Sequence, residues 1–201
     1  MNPGAKTRPA KGRGQSVKAP VTKVCPAKVR PAKARRLSAA DYRLIAPKLA
    51  PRLLGMFLCR RVRRSVIRLR ITETEAYYGE GDTACHARRG KTKRTGVMYR
   101  PGGAAYVYLC YGVHWMLNVV SGPEGFPEAV LIRGVEGFDG PGKLSRALEI
   151  SGALNGEDLA VSERLWIEDD GLRARIHAAR RIGIDYASEE DRARLWRFTP
   201  R

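Results

Sequence analysis

From Ile67 onward the chain alternates apolar and polar side chains, then sets carboxylates where apolar residues should come next. The run Ile67-Arg68-Leu69-Arg70-Ile71-Thr72 has the two-residue period of a half-buried strand. Counted on in twos, Ile67, Leu69, Ile71, Glu73, Glu75 and Tyr77 share one face without a change of register. Ionised carboxylates on a buried face cost several kcal/mol unless they are partnered, so such a face opens onto a polar pocket or another chain's edge. The competing reading is a strand that leaves the core for solvent.

The neighbouring segments supply the rest of a sheet. A strand at residues 56–62 precedes the alternating run. Upstream, Ser38 with Asp41 three residues later has the form of a helix N-cap, and Pro47 and Pro51 are expected to break the next stretch into short helical pieces ending near Gly55. Residues 79–103 are basic, rich in glycine and without periodicity, and a loop of that length inside a compact domain is uncommon unless it is functional. Two strand-like runs, 105–110 and 114–120, flank Tyr111-Gly112-Val113, which has the form of a tight hairpin turn. A short buried strand at 129–134, a helix over 143–150 and a strand at 165–168 come next, and residues 173–197 are basic and mixed. Sequential hairpins with helices around them predict one α+β domain: a curved antiparallel sheet with a protruding β-hairpin and surrounding helices.

Charge divides the chain. Net charge is +18, and residues 1–36 hold eleven of the 38 Lys and Arg and no acid, leaving 27 bases against 20 acids in the other 165 residues. The first 36 residues offer almost nothing apolar to bury, which predicts a disordered basic arm ahead of a folded domain at 37–201. Such a balance predicts attraction to a polyanion, most often nucleic acid. Cys25, Cys59, Cys85 and Cys110 lie far apart without a Cys-x-x-Cys pair, the pattern of reduced thiols inside a cell rather than of a metal or disulfide framework. No apolar run approaches the ~18 residues of a membrane span.

Between Glu73 and Arg133 the residues suit one task. A hairpin tip is ordinarily polar, and an exposed Tyr111 breaks that rule, as functional residues tend to. Tyrosine on a two-stranded ribbon has the shape of a wedge between stacked bases. Tyr77, His86 and Tyr108 offer flat surfaces, and Asn118 and Arg133 offer donors on strands.

These segments carry a resemblance. Glu73-Thr74-Glu75-Ala76-Tyr77, His86, Tyr106-Val107-Tyr108-Leu109-Cys110-Tyr111-Gly112, Asn118, Val130-Leu131-Ile132-Arg133, Gly140-Pro141-Gly142-Lys143-Leu144 and Trp196-Arg197-Phe198 together resemble the alkyladenine (3-methyladenine) DNA glycosylase family over about residues 37–201. The resemblance implies a monofunctional glycosylase that flips alkylated or deaminated purines from double-stranded DNA and hydrolyses the N-glycosidic bond, starting base excision repair. It implies Glu75 as the general base, Arg133 and a carbonyl near Pro200 at the attacking water, and Tyr77, His86 and Tyr108 around the extruded base. Backbone groups at Ala84 and His86 would read that base's edge, Asn118 would sit where the amine of a normal guanine clashes, and Tyr111 would be the wedge. Arg94 and Lys143 are expected on the DNA backbone. No lysine falls at a motif position, so a Schiff-base step is not expected. No cofactor or metal is expected, and the partner is damaged duplex DNA, met inside the cell by a monomer. One loop departs from the family's usual Arg-Thr-Pro-Arg-Asn, reading Lys91-Thr92-Lys93-Arg94-Thr95. The rival is a non-catalytic basic nucleic-acid-binding protein, for which a carboxylate set beside Arg133 has no use.

Overall fold

The computed structural model describes residues 34–201, and the basic arm lies outside the described residues as far as position 33. The last two residues of the expected arm belong to the fold instead. Arg35–Arg36 form a strand, β1, and the Arg35 guanidinium holds both carboxylate oxygens of Asp41 at 2.8 Å. Arg36 reaches the carbonyls of Leu159 and Ser162, so charge here is spent on the fold.

Ser38 and Asp41 form the expected capping box, which opens a 3-10 turn at Ala39–Arg43. The next helix, α1, runs unbroken over Ala46–Leu53 despite Pro51 inside it, contrary to the expectation of separate pieces. Pro47 sits in the first turn, where N–H groups lack intrahelical partners anyway. Ala46, Leu49, Ala50 and Leu53 are fully buried, and that packing outweighs the single bond lost at Pro51.

Two strands come next, β2 (Phe57–Val62) and β3 (Ser65–Tyr78). The long basic loop contains 3-10 turns at His86–Arg89 and Thr95–Tyr99. Then come β4 (Ala105–Cys110), β5 (His114–Val120), β6 (Glu128–Val135) and β7 (Phe138–Asp139), and the helix α2 (Pro141–Ala147). The chain ends through β8 (Leu165–Asp169), β9 (Ile176–Ala179), a short helix α3 (Glu189–Ala193) and β10 (Arg197–Pro200). All pairings are antiparallel in the order β1-β8-β2-β3-β6-β5-β4, with β10 beside β3 and β9. The result is an α+β fold on a curved antiparallel sheet, with β4 and β5 as the hairpin. Among the described residues no helix is long and apolar enough to cross a membrane.

The register of β3 is not continuous, and this corrects the sequence expectation. Ile71 pairs with Val135, Glu73 with Gly134 and Thr74 with Ile132, so the ladder shifts twice within three residues. Before the irregularity, Ile71 and Val135 point into the main core. After it, Ala76, Val130 and Ile132 hold the core side, and the buried Thr74 hydroxyl bonds to the Ala50 carbonyl of α1 at 2.9 Å. Glu73, Glu75 and Tyr77 therefore lie on the opposite face from Ile71. A bulge turns the strand over and so brings the carboxylates to the face away from the core without breaking the sheet.

Candidate active site

On the face away from the core, directly opposed residues form a row across four strands. Glu75 on β3 pairs with Leu131 on β6, Leu131 with Asn118 on β5, and Asn118 with Tyr106 on β4. Strands lie about 4.8 Å apart, so Glu75 and Asn118 bracket a span of roughly 10 Å, the width of a planar ring system with contacts on both sides. A neighbouring row sets Tyr77 against Ala129, and Tyr108 rises two residues beyond Tyr106. Over these rows is a cavity of about 610 Å³ lined by Tyr77, Ala84, His86, Tyr108, Asn118 and Arg133, among others.

Glu75 lies under the cavity wall, fully buried, and its carboxylate is held by three groups that line or reach the cavity. The Ile182 amide donates to Oε1 at 2.8 Å, the Tyr77 hydroxyl donates to Oε2 at 2.9 Å, and Arg133 Nε stands 3.5 Å from Oε1. Burial pushes the Glu75 carboxyl above the usual range, while Arg133, the Ile182 amide and Tyr77 pull it down. Glu73 accepts from Arg133 at 3.2 Å and from Arg197 at 3.1 Å, which assigns it to fixing the Arg133 guanidinium. A carboxylate placed like Glu75 can take a proton and stabilise nearby positive charge.

The aromatic groups interlock. His86 and Tyr108 meet edge to face at 4.5 Å, and Tyr106 and Tyr108 lie 5.3 Å apart. His86 Nδ1 bonds to the Tyr106 hydroxyl at 3.0 Å. Burial, then the Arg94 and Arg88 cations, push the His86 imidazole down to about 4, so the ring is neutral at neutral pH. Arg94 lines the cavity and lies 4.9 Å over the Tyr108 ring. Asn118 is buried and donates to the Tyr106 carbonyl at 3.1 Å. Ala84 is committed at both ends, its N–H to Asp82 at 3.0 Å and its carbonyl to the Tyr186 hydroxyl at 3.0 Å.

Tyr111 stands at the tip of the hairpin, 96% exposed, with φ of 49°. Gly112 comes next at φ 71°, and the Val113 amide bonds to the Cys110 carbonyl at 3.0 Å, so both central residues of the turn are left-handed, the type I′ requirement. A tyrosine there costs about 1–2 kcal/mol that glycine would not. Lys143 is exposed on α2, two residues from Pro141 in the cavity wall.

Pro200 is not at the site. It is the exposed end of β10 and pairs with Ile176, whereas the residue of β10 opposite Glu75 is Arg197. The C-terminal segment that does reach Glu75 is Arg181–Ile184, which sequence reading missed. Ile182, Gly183, Ile184 and Tyr186 all line the cavity. Their only signal in sequence is an Ile-Gly-Ile break in a basic stretch, with no period to read.

A buried carboxylate braced by a guanidinium, beside a slot of interlocked aromatic rings, has the chemistry to activate a water next to a planar group. Comparison with known proteins makes the class specific. The family model described as Methylpurine-DNA glycosylase (MPG) matches residues 40–139 and 137–201. A protein of Anaeromyxobacter sp. is 48% identical over 177 residues, covering 82% of this chain and 87% of that protein. Relatives from Methanocella arvoryzae and Psychrobacter cryohalolentis are 44% and 43% identical over 171 residues, covering 75% and 70% of this chain and 85% and 81% of theirs. All three carry the provisional name 3-methyladenine DNA glycosylase. The chain belongs to the methylpurine-DNA glycosylase family. It is a DNA N-glycosylase, a hydrolase of DNA repair that acts on alkylated bases.

Proposed function

We propose that this chain is a monofunctional glycosylase that extrudes a damaged purine from duplex DNA into the aromatic slot and hydrolyses its N-glycosidic bond. The observation that carries the reading is the Glu75 carboxylate, braced by Arg133 and Ile182 one strand-row from the rings that would hold the base. A base inside a duplex is out of reach, and flipping it costs a few kcal/mol. Stacking on Tyr77, His86 and Tyr108 returns about 1–3 kcal/mol per base, and Tyr111 fills the vacated stack. Glu75 takes the proton of a water attacking the anomeric carbon and stabilises the oxocarbenium character that develops there, while Arg133 fixes the carboxylate. Asn118, its amide nitrogen committed to Tyr106, stands as a fixed obstacle to the extra amine of a normal guanine. Arg94 and Lys143 hold the DNA backbone, and the enzyme works as an intracellular monomer on DNA.

Leaving-group chemistry orders the substrates. An alkylpurine such as 3-methyladenine or 7-methylguanine is cationic and departs without help. Hypoxanthine is neutral and needs a proton, which a His86 with pKa about 4 does not carry at neutral pH. Duplexes with one defined lesion each, assayed for released base, should therefore rank cationic alkylpurines ahead of hypoxanthine, with abasic DNA left uncut at the strand. Strand cleavage coupled to base release would contradict the monofunctional reading.

A further inference from the structure

Behind the site is a second charged pair that takes no part in the proposed chemistry. Arg181 and Asp82 have side chains 0% exposed and form a two-pronged bridge, Nη1 to Oδ2 at 2.6 Å and Nη2 to Oδ1 at 2.9 Å. Both terminal nitrogens of Arg181 also donate to backbone, Nη1 to the Ala76 carbonyl at 3.0 Å and Nη2 to the Asp191 carbonyl at 3.2 Å, while the buried Nε has no hydrogen-bond partner among the described residues. Its guanidinium lies 4.9 Å over the Tyr77 ring and 5.1 Å over Trp196. Asp82 in turn accepts from the amides of Tyr78 at 3.2 Å and Ala84 at 3.0 Å.

The partners are the residues that flank the chemistry. Ala76 sits between Glu75 and Tyr77, Ala84 leads into His86, and Ile182, next after Arg181, donates the amide that holds Glu75. One buried bridge thus ties the end of β3, the base-holding loop and the C-terminal segment into a single unit. Ile182 itself is 49% exposed, so its own side chain does little to hold its amide in place. We propose that Arg181 and Asp82 are positioning residues whose bridge keeps the Ile182 amide on the Glu75 carboxylate. Burying two charges gives little net stability compared with apolar side chains of the same size, which leaves alignment as the better reason for this pair.

The proposal rests on Glu75 acting as the base, and the experiment separates the two claims. Glu75 is faced by Glu73 and Tyr77 from its own strand, Arg133 from β6, and Arg181 and the Ile182 amide from the C-terminal segment, with Arg197 of β10 one step away on Glu73. Arg181→Lys keeps the cation near Glu75 but loses the fork, since an ammonium cannot match planar two-pronged bonding. A slackened Ile182 amide withdraws one donor from the Glu75 carboxylate, so the acid limb of single-turnover base release moves up by about one pH unit. Release then falls about tenfold below the limb while the alkaline plateau holds, since one unit of pKa is a tenfold change in ionised fraction. A loss spread evenly over the pH range, with the limb unmoved, would show a merely structural pair and overturn the proposal. Amide hydrogen exchange on the wild-type protein tests the same point whether or not the variant folds: the Ile182 amide should exchange as slowly as those of β3 and β6, and fast exchange would overturn it. Glu75→Gln run alongside decides the other claim, because retained release there removes the base itself, whereas abolished release with an unmoved Arg181→Lys limb removes only the bridge's role.

Discussion

At the scale of single residues, Glu75 is set by two opposed effects. Burial disfavours its charge, and Arg133, the Ile182 amide and the Tyr77 hydroxyl restore it; burial wins, so the folded carboxyl titrates above its ordinary 4.5. A general base works only when ionised. Base release should therefore fall on the acid side with a limb above 4.5, and Arg133→Gln, which removes the largest opposing group, should move that limb further up. A limb at or below 4.5 in the wild type would show that the three donors outweigh burial. His86 has the opposite sign. Its folded pKa of about 4 lies below the ordinary 6.5, so as pH falls between these values the unfolded chain takes up a proton first and stability is lost. Acid titration of the melting temperature should show this loss, and His86→Phe should lessen it.

Elements carry the trade between stability and function. The hairpin β4–β5 holds Tyr111 in a left-handed turn that glycine would occupy without strain. Tyr111→Gly relieves about 1–2 kcal/mol of strain against about 0.4–1 kcal/mol of added chain entropy, so the variant should melt no lower than the wild type. Its base release should nevertheless drop roughly 10- to 100-fold, the worth of one aromatic stacking contact. A variant that keeps its rate would show that Tyr111 is not the wedge. The other junction is between α1 and the sheet, where the buried Glu128 carboxylate accepts the Ala46 amide at the helix start. Gly122 makes room for it: a Cβ there would collide with Glu128 Oε1, on a backbone with φ of 74°. Gly122→Ala should cost about 2–4 kcal/mol in a denaturant melt, from strain and overpacking together.

Local pattern decided which of these elements could be read in advance. The hairpin, the alternation along β3 and the spacing of Glu75, Tyr77, Tyr108, Asn118 and Arg133 are short-range or strand-periodic, and periodicity is what a single sequence shows. The bulge at Thr72–Thr74 was invisible because nothing in Ile71-Thr72-Glu73 departs from alternation; only pairing with Val135 and Gly134 reveals it. Ile182 meets Glu75 across 107 positions and does so through its backbone amide, which has no residue-type signature. Pro200 was misplaced for the same reason, since only the register of β10, which sets Arg197 opposite Glu75 and Pro200 opposite Ile176, shows where the end of that strand lies.

At the scale of the molecule, charge is divided between work inside the fold and work outside it. Arg35, Arg36, Arg68, Arg70 and Arg181 are spent on carboxylates and carbonyls of the protein itself. Of the loop arginines that line the cavity, Arg88 is likewise committed, its Nη1 bonding to the Thr83 carbonyl at 2.7 Å, while Arg89 and Arg94 make no such bond among the described residues and are available to a polyanion. The acid-free first 33 residues add nine more cations by sequence. Removing residues 1–33 should weaken binding to all DNA and lower the salt dependence of affinity without changing lesion preference; an unchanged salt slope would make that segment irrelevant to DNA.

Everything in the catalytic reading converges on one carboxylate, so one measurement tests it most directly. Single-turnover release of 7-methylguanine from a duplex carrying one such lesion, compared between wild type and Glu75→Gln with binding measured in parallel, should show release reduced by about 10²–10⁴-fold, the usual worth of a general base, at unchanged affinity for the lesion duplex. Release at the wild-type rate from the Glu75→Gln protein would contradict it.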